Sequence, residues 1–220
     1  MSTVLLVDDH ALFRQSLARI ITHEPEFTVT AQAGSLAEAR THLTHVDIAL
    51  IDLGLPDGDG VDLIAELRVH NPPVLVVILT ASVDQMDYAR AIESGAAGVL
   101  HKSSSIEELI ESLHRLLANR WLFTQKEIID LLRFADHQRA QSRTAQALPT
   151  RLTPRERDVL AALAHGLSSK EIAQRLNITS ETERSHMVNI LAKVGAHSRL
   201  HALVLAVRHG LIDVPSTRSR

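Results

Sequence analysis

Short apolar runs that each end in a polar residue recur through the first half of the chain. Such runs lead into the pair Asp8-Asp9, into Asp52, into Thr80 and, through one further residue, into Lys102. Short β-branched runs bounded by polar residues are typical of buried parallel strands. Ligands of an open α/β sheet bind beyond the carboxyl ends of its strands. Three acids, a hydroxyl and an amine are therefore expected to meet at one edge of a sheet.

Strand and helix patterns alternate over the first 118 residues. Strands are predicted at 3–7, 27–31, 47–52, 74–79 and 97–101, and helices at 10–22, 35–44, 60–70, 84–94 and 105–118. Five βα units of this spacing imply right-handed crossovers. The predicted fold of residues 1–118 is therefore a doubly wound, flavodoxin-like α/β domain with a five-stranded parallel sheet.

The second half of the chain has helical patterns only. Residues 119–150 are predicted to be a partly helical linker, whose polar end, 136–150, has no clear period and is expected to be flexible. Residues 151–220 are predicted to form an all-α domain of four short helices. The first of them has Thr153 as N-cap and Pro154 at its first position.

Charge divides the 220-residue chain in the same way. Residues 1–118 contain 17 Asp and Glu against 7 Lys and Arg, whereas residues 119–220 contain 9 against 16. This asymmetry predicts a cation or phosphate site in the first half and a polyanion partner for the second. With no Cys, disulfides and thiolate metal sites are excluded. No apolar run is long enough to span a bilayer, so we expect a cytoplasmic protein with no membrane partner.

The predicted cluster of acids suits phosphoryl transfer with Mg²⁺, which prefers oxygen ligands. Asp9 and Asp52 are expected to bind the ion directly, the carbonyl of Gly54 is a third candidate ligand, and Asp8 is expected to act through water. Asp52 is the natural nucleophile. Thr80 and Lys102 are positioned to neutralise the phosphoryl oxygens. Taken singly, each residue has an ordinary structural explanation, such as helix capping, but their shared position at the strand ends favours a site.

The motifs of residues 3–118 resemble the receiver domain of a two-component response regulator. They are the pair Asp8-Asp9, Asp52 with its Leu-Pro-x-x-x-Gly turn, Thr80, and Gly95-Ala-Ala-Gly followed by Lys102. The resemblance implies Mg²⁺-dependent phosphorylation of Asp52 by a sensor histidine kinase, with Thr80 carrying the signal. The family usually has Tyr or Phe where this chain has Val99, so the aromatic half of the usual switch is missing.

In the basic half, a predicted third helix carries two faces of different character. Met187, Ile190, Leu191 and Val194 form a core face, whereas Arg184, Ser185 and Val188 are positioned to enter a major groove. The side chains expected to contact DNA phosphates are Lys170, Arg175, Lys193 and Arg199. The alternative is a small helical bundle with ordinary solvated charges.

The segment 151–212 resembles a LuxR-type helix-turn-helix domain. The match includes Leu-Thr-Pro-Arg-Glu-Arg from Leu152, Gly-Leu-Ser-Ser-Lys-Glu-Ile-Ala from Gly166, and Ser198-Arg199. With the receiver, the chain is similar to NarL/FixJ-type response regulators. That resemblance implies a homodimer on double-stranded promoter DNA, with the fourth helix as dimer surface, and regulation of transcription.

Glu183 occupies the position where this family usually has a buried Val. Its carboxylate is expected either to face the core or to cap the helix through a Ser180-x-x-Glu183 box. Because an unpaired buried carboxylate is costly, we expect Glu183→Val to raise the melting temperature of the domain.

Two other functions compete with a phosphorylated regulator. One is an aspartyl-phosphate phosphatase, although such enzymes place the nucleophile in an Asp-x-Asp pattern on the first strand, and here the first-strand acids are adjacent. The other is a regulator that binds DNA without phosphorylation, which the absence of an aromatic residue at Val99 favours.

The 13 His are scattered and show no convincing metal-ligand spacing.

Overall fold

The computed structural model describes residues 1–81, 84–118, 122–123, 125–141 and 152–214. The chain divides into two compact units, Met1–His114 and Arg115–Arg220. Of the stretch 136–150, which was predicted to be flexible, residues 142–150 lie outside the described residues.

The first unit is built on a five-stranded parallel sheet. Its strands are β1 (Ser2–Val7), β2 (Phe27–Ala33), β3 (Ile48–Asp52), β6 (Leu75–Thr80) and β7 (Gly98–His101), and a short hairpin between β3 and β6 supplies β4 (Gly54–Leu55) and β5 (Gly58–Asp59). The strand order in the sheet is β2-β1-β3-β6-β7. Every pair of neighbouring strands is parallel. This confirms the predicted doubly wound α/β fold. The central strand β3 is buried along its whole length, so the core lies on both faces of the sheet.

Five helices accompany these strands. They are α1 (Ala11–His23), α2 (Leu36–Ala39), α3 (Gly60–His70), α4 (Gln85–Glu93) and α5 (Ile106–Leu117). The predicted helix at 35–44 is wrong in its second half, because α2 ends at Ala39 and a 3₁₀ turn, Arg40–His42, follows. Strand β2 also extends two residues beyond its predicted end at Ala31.

The turn that follows Asp52 is a small antiparallel hairpin, with β4 (Gly54–Leu55) paired to β5 (Gly58–Asp59). Asp59 then caps α3 by accepting a hydrogen bond from the amide of Val61. A Cβ atom on Gly60 would lie 1.9 Å from the backbone oxygen of Asp52. Only glycine therefore permits α3 to begin so close to the backbone of Asp52.

The second unit is helical. Its helices are α6 (Gln125–Gln141), α7 (Pro154–Ala164), α8 (Ser169–Arg175), α9 (Ser180–Val194) and α10 (Arg199–Arg208). The predicted N-cap of α7 is confirmed, since Thr153 and Glu156 form a reciprocal capping box. Helix α9 ends at Gly195 in the left-handed conformation, with φ of 69°. The predicted four-helix arrangement after residue 151 is thus confirmed by α7–α10.

The linker prediction is wrong for residues 136–141, which continue α6 as regular helix. Ile128, Ile129 and Leu132 of α6 are buried, and α6 packs against α10. The apolar face of α6 therefore belongs to the helical unit. Sequence reasoning placed the helix correctly but ended it too early, because its last turns lack an apolar period.

Within the described ranges, no single helix has both the length and the apolar character needed to cross a membrane. Only α9 and α10 taken together meet those two criteria, and the pair is bent by 52°.

Candidate functional site

The carboxyl edge of the sheet brings Asp8, Asp52 and Lys102 together. Asp52 is the last residue of β3, and Asp8 and Lys102 directly follow β1 and β7. The ammonium nitrogen of Lys102 lies 2.6 Å from Oδ2 of Asp52 and 2.7 Å from Oδ2 of Asp8. Both carboxylates are nearly inaccessible to solvent, with relative exposures of 7% for Asp52 and 2% for Asp8. A partly buried amine thus contacts two buried acids that are 44 positions apart in the sequence, Asp8 and Asp52.

Burial and charge act in opposite directions on these groups. Burial raises the pKa of the Asp52 carboxyl, and the hydrogen bonds from Lys102 and the Gly54 amide only partly offset this effect. Burial by itself would lower the pKa of Lys102, but its hydrogen bond to Asp52 and its charge contact with Asp8 outweigh burial, so the pKa of Lys102 is raised. Lys102 therefore carries a positive charge at neutral pH. Its ammonium also lies 5.4 Å from the ring centre of Phe13.

The acidic cluster extends to Asp9 and His10 at the solvent side. Nδ1 of His10 lies 2.7 Å from Oδ1 of Asp9. One ligand atom from each of Asp8, Asp9, His10 and Asp52 falls within 4.8 Å of the others. The buried Oδ2 of Asp8 has its charge contact with Lys102 but no hydrogen bond of good geometry. Three carboxylates with one under-coordinated oxygen fit a hard cation such as Mg²⁺, for which the imidazole is not required.

The remaining predicted residues of this site lie in the same neighbourhood. Gly54 begins β4, and its amide donates to the Asp52 carboxylate; metal binding by its carbonyl stays a prediction. Thr80 ends β6 and is 2% exposed. Val99 is buried in β7, where it pairs with Ile78 of β6. Val99 therefore fills a core position and offers no polar group to the site.

Helix α9 presents an exposed face in the second unit. Arg184 and Ser185 are exposed, and Val188 is 59% exposed. Met187, Ile190 and Val194 are buried, as their spacing predicted, whereas Leu191, the fourth residue of the predicted core face, is only partly buried. Lys170 and Arg175 of α8 are exposed as well. The three side chains predicted to face DNA are thus all turned to solvent and accessible to a partner.

Two other predicted DNA contacts are engaged inside the unit. The ammonium of Lys193 lies 2.7 Å and 2.8 Å from the two carboxylate oxygens of Glu156, which is 3% exposed. Arg199 donates to Oε1 of Glu183 at 2.8 Å and also to the hydroxyl of Ser169. Each basic group thus already balances a buried acid.

Glu183 does not form the capping box considered for it. Thr179, and not Ser180, is the N-cap of α9, and it accepts from the amide of Thr182. The Glu183 carboxylate is 1% exposed and pairs with Arg199. Sequence reasoning missed this pair because its partners are 16 residues apart on different helices. The only signal was the presence of an acid at a core position, which requires a partner.

The fold and site define a class of protein, in which an acid–lysine cluster on a doubly wound sheet is joined to a helix-turn-helix bundle. The family model "Response regulator receiver domain" matches residues 4–114. The family model "Bacterial regulatory proteins, luxR family" matches residues 150–206. The two matches cover the sheet unit and the C-terminal helices respectively.

Full-length relatives have the same arrangement. The chain is 32% identical over 209 residues to the nitrate/nitrite response regulator protein NarL of Escherichia coli (strain K12), covering 92% of this chain and 94% of that protein. It is 33% identical over 211 residues to the DNA-binding transcriptional activator DevR/DosR of Mycobacterium tuberculosis, covering 94% of each. A solved structure of two RcsB dimers bound to two parallel DNAs shares the fold, with a TM-score of 0.53 at 21% identity, covering 94% of this chain and 98% of that one.

The chain therefore belongs to the two-component response regulators of the NarL/FixJ type, a family of DNA-binding transcriptional regulators.

Proposed function

We propose that Asp52 accepts a phosphoryl group from a sensor histidine kinase and that this event controls promoter binding by the helical unit. The observation that carries the proposal is the contact of Lys102 with both Asp8 and Asp52 at the carboxyl edge of the sheet. Packing alone does not explain this contact. Burying two acids and one amine costs more free energy than burying apolar side chains of similar size would.

The chemistry follows from these positions. A carboxylate oxygen of Asp52 attacks the phosphorus of the donor, the bond from phosphorus to the donor's leaving group breaks, and that group departs with the electron pair. The Lys102 ammonium and the Thr80 hydroxyl would stabilise the charge on the phosphoryl oxygens. Bound Mg²⁺ would supply further charge neutralisation there, held by Asp8, Asp9 and Asp52, with the Gly54 carbonyl as a candidate fourth ligand.

The phosphorylation proposal is tested on the full chain with acetyl phosphate and Mg²⁺, followed by intact mass. The wild-type protein is expected to gain one phosphoryl group, and Asp52→Asn is expected to gain none. Asp62→Asn is the matched control, since Asp62 is an exposed acid in the first turn of α3. A normal gain by Asp52→Asn would overturn the assignment of the phosphoacceptor.

For the helical unit, we propose that α9 enters the major groove of double-stranded promoter DNA as a recognition helix. Arg184, Ser185 and Val188 would face base edges, and Lys170 and Arg175 would contact phosphates. Binding as a homodimer is supported by the RcsB dimers seen on DNA in a protein of the same fold. Lys193 and Arg199 remain candidate phosphate contacts that must share their charge with Glu156 and Glu183.

Binding to duplex DNA at several salt concentrations tests this second step. Lys170→Ala is expected to weaken specific and random sequences alike, with the log–log salt slope reduced by about 0.9 for one lost phosphate contact. Arg184→Ala is expected to lower discrimination between sequences. Arg133→Ala is the control, because this half-exposed arginine lies on α6 and carries the same charge. Equal losses in all three variants would refute a recognition role for α9.

A regulator that never uses phosphorylation is the competing possibility, and Val99 is the residue that motivates it. The two are separated by measuring DNA affinity with and without acetyl phosphate. Equal affinity in a sample whose mass shows complete phosphorylation would support the competing possibility.

A further inference from the structure

The last residue of β7, His101, lies between two residues of the phosphoryl site. It directly precedes Lys102, and in the ladder between β6 and β7 it is paired with Thr80. The backbone amide of Lys102 donates to the carbonyl of Thr80 at 2.7 Å. The chain segments after Thr80 and after Lys102 therefore leave the sheet side by side.

The imidazole ring of His101 joins these two segments. Its Nε2 atom lies 3.0 Å from the carbonyl oxygen of Ala81, the residue after Thr80. Its Nδ1 atom lies 3.1 Å from the amide nitrogen of Ser103, the residue after Lys102, and it also contacts the Ser103 hydroxyl. An amide can only donate, so Nδ1 accepts, and the proton of the neutral ring is on Nε2. The ring thus donates to one segment and accepts from the other.

The two hydrogen bonds of the His101 ring form a bridge between Ala81 and Ser103, and Ser103 lies just before the start of α5. The amide of Ser104 donates to the His101 carbonyl at 3.0 Å. Ser105 and Glu108 then form reciprocal side-chain-to-amide bonds of 3.1 and 3.2 Å across the first turn of the helix. Hydrogen bonds therefore follow one another from the end of β7 through residues 103–105 to the first turn of α5.

We propose that His101 is a positioning residue that couples movement of the Thr80 segment to the start of α5. The inference rests on the proposed function, because Thr80 moves only if a phosphoryl group on Asp52 attracts its hydroxyl. The Ala81 carbonyl then moves with Thr80, and the ring transmits that movement to Ser103. Val99, an apolar core residue of the same strand, has no group that can make either bond.

Two substitutions separate the two halves of the bridge. In His101→Gln, the amide nitrogen takes the place of Nε2, so the bond to Ala81 is retained. In His101→Asn, the carboxamide oxygen takes the place of Nδ1, so the bond to Ser103 is retained and Ala81 is out of reach. His42→Asn is the control, since His42 is an exposed histidine of the 3₁₀ turn.

The full-length variants are treated with acetyl phosphate and Mg²⁺, their phosphorylation is measured by intact mass, and hydrogen exchange is followed in a peptide covering residues 103–108. All variants are expected to gain one phosphoryl group. Phosphorylation should change the exchange rate of this peptide in the wild type, His101→Gln and His42→Asn, whereas His101→Asn should lose most of that change.

The outcomes are distinguishable. Failure of the wild type to gain mass would refute the proposed function and not this coupling in particular. Normal phosphorylation with an unchanged exchange response in His101→Asn would overturn the inference, as would loss of the response in His101→Gln. If His101→Asn melts at a much lower temperature than the wild type, His101→Gln is compared instead with His101→Leu, whose side chain has no polar group for the Ala81 carbonyl. Equal exchange responses in these two variants would overturn the inference.

Discussion

The family pattern and the structure predict opposite effects on stability when Glu183 is replaced by valine. From the pattern alone, Glu183→Val is expected to stabilise the helical unit by restoring an apolar core residue. The structure reverses the sign of that expectation. Glu183 is 1% exposed and accepts a 2.8 Å hydrogen bond from Arg199, so its removal leaves a largely buried guanidinium without its acid.

The magnitude follows from three effects. Removal of one partner of a buried ion pair costs about 3–5 kcal/mol. Burial of the valine side chain returns about 1.5–3 kcal/mol. Arg199 remains 17% exposed and keeps its hydrogen bond to Ser169, which brings the cost toward its lower limit. The net loss of unfolding free energy is about 1 kcal/mol, or roughly 6 °C in melting temperature for a unit of this size.

Burial already lowers the pKa of Arg199, and Glu183 only partly offsets this effect. The Glu183 carboxylate therefore stabilises the charged form of Arg199, and the Glu183→Val variant loses this stabilisation. Replacing both residues should cost less unfolding free energy than replacing Glu183 alone. In the double variant Glu183→Val with Arg199→Leu, no buried charge remains. Its unfolding free energy is expected to equal that of the wild type or exceed it by about 1–4 kcal/mol.

The assay is native-state hydrogen exchange of the α9 amides in the full-length chain, which reports the opening free energy of that helix. Glu181→Val is the control, because Glu181 is an exposed acid in the same first turn; its loss is expected to cost about 0.3–1 kcal/mol through the helix dipole. A single Glu183→Val variant more stable than the wild type would refute the reasoning. The reasoning would also fail if the changes in unfolding free energy of Glu183→Val and Arg199→Leu added up to that of the double variant, because the effects of residues in contact are not additive.

Three further outcomes are expected. Gly60→Ala should lower both the melting temperature and the phosphoryl gain, because its Cβ would meet the Asp52 backbone; Gly54→Ala, which has nothing within 4 Å, is the control for melting temperature. The pKa of Glu156 is lowered because hydrogen bonds from Lys193 and Thr153 outweigh burial; the resulting stability is present above pH 4.5 and is lost as pH falls below it. Glu156→Gln should flatten that acid loss in a pH series of melting curves. A fragment of residues 122–220 should melt higher than one of 152–220, because the latter lacks the α6 side chains that pack on α10.

The strand ends and the acid cluster were predictable because both depend on local signals. Apolar runs fix β1 and β3, and the parallel topology then brings Asp8 and Asp52 to one edge whatever the details of packing. Gly60 was also visible as part of the turn, although its close approach to the Asp52 backbone was not. Where a residue's role follows from the chain within a few positions, the sequence is sufficient.

The contacts that were not predictable join elements distant in sequence. The capping role of Glu156 lies within the first turn of α7, but its contact with Lys193 spans 37 residues. His101 gave no periodic signal, since its role depends on which backbone carbonyl lies opposite it in the β6–β7 ladder. In both cases the contact is decided by how distant helices or strands pack, which no local pattern shows.

The ion pairs of Lys193 with Glu156 and of Arg199 with Glu183 reduce the positive charge that the helical unit presents to DNA. A guanidinium that balances Glu183, or an ammonium that balances Glu156, contributes little net field toward a phosphate. Release of five counterions per domain would give a log–log salt slope of about −4.5, whereas the three exposed cations of α8 and α9 give about −2.7. The structure favours the shallower value. On this argument the charges of Arg199 and Lys193 are largely balanced within the helical unit. We therefore expect the exposed side chains of Lys170, Arg175 and Arg184 to supply most of the positive charge toward DNA.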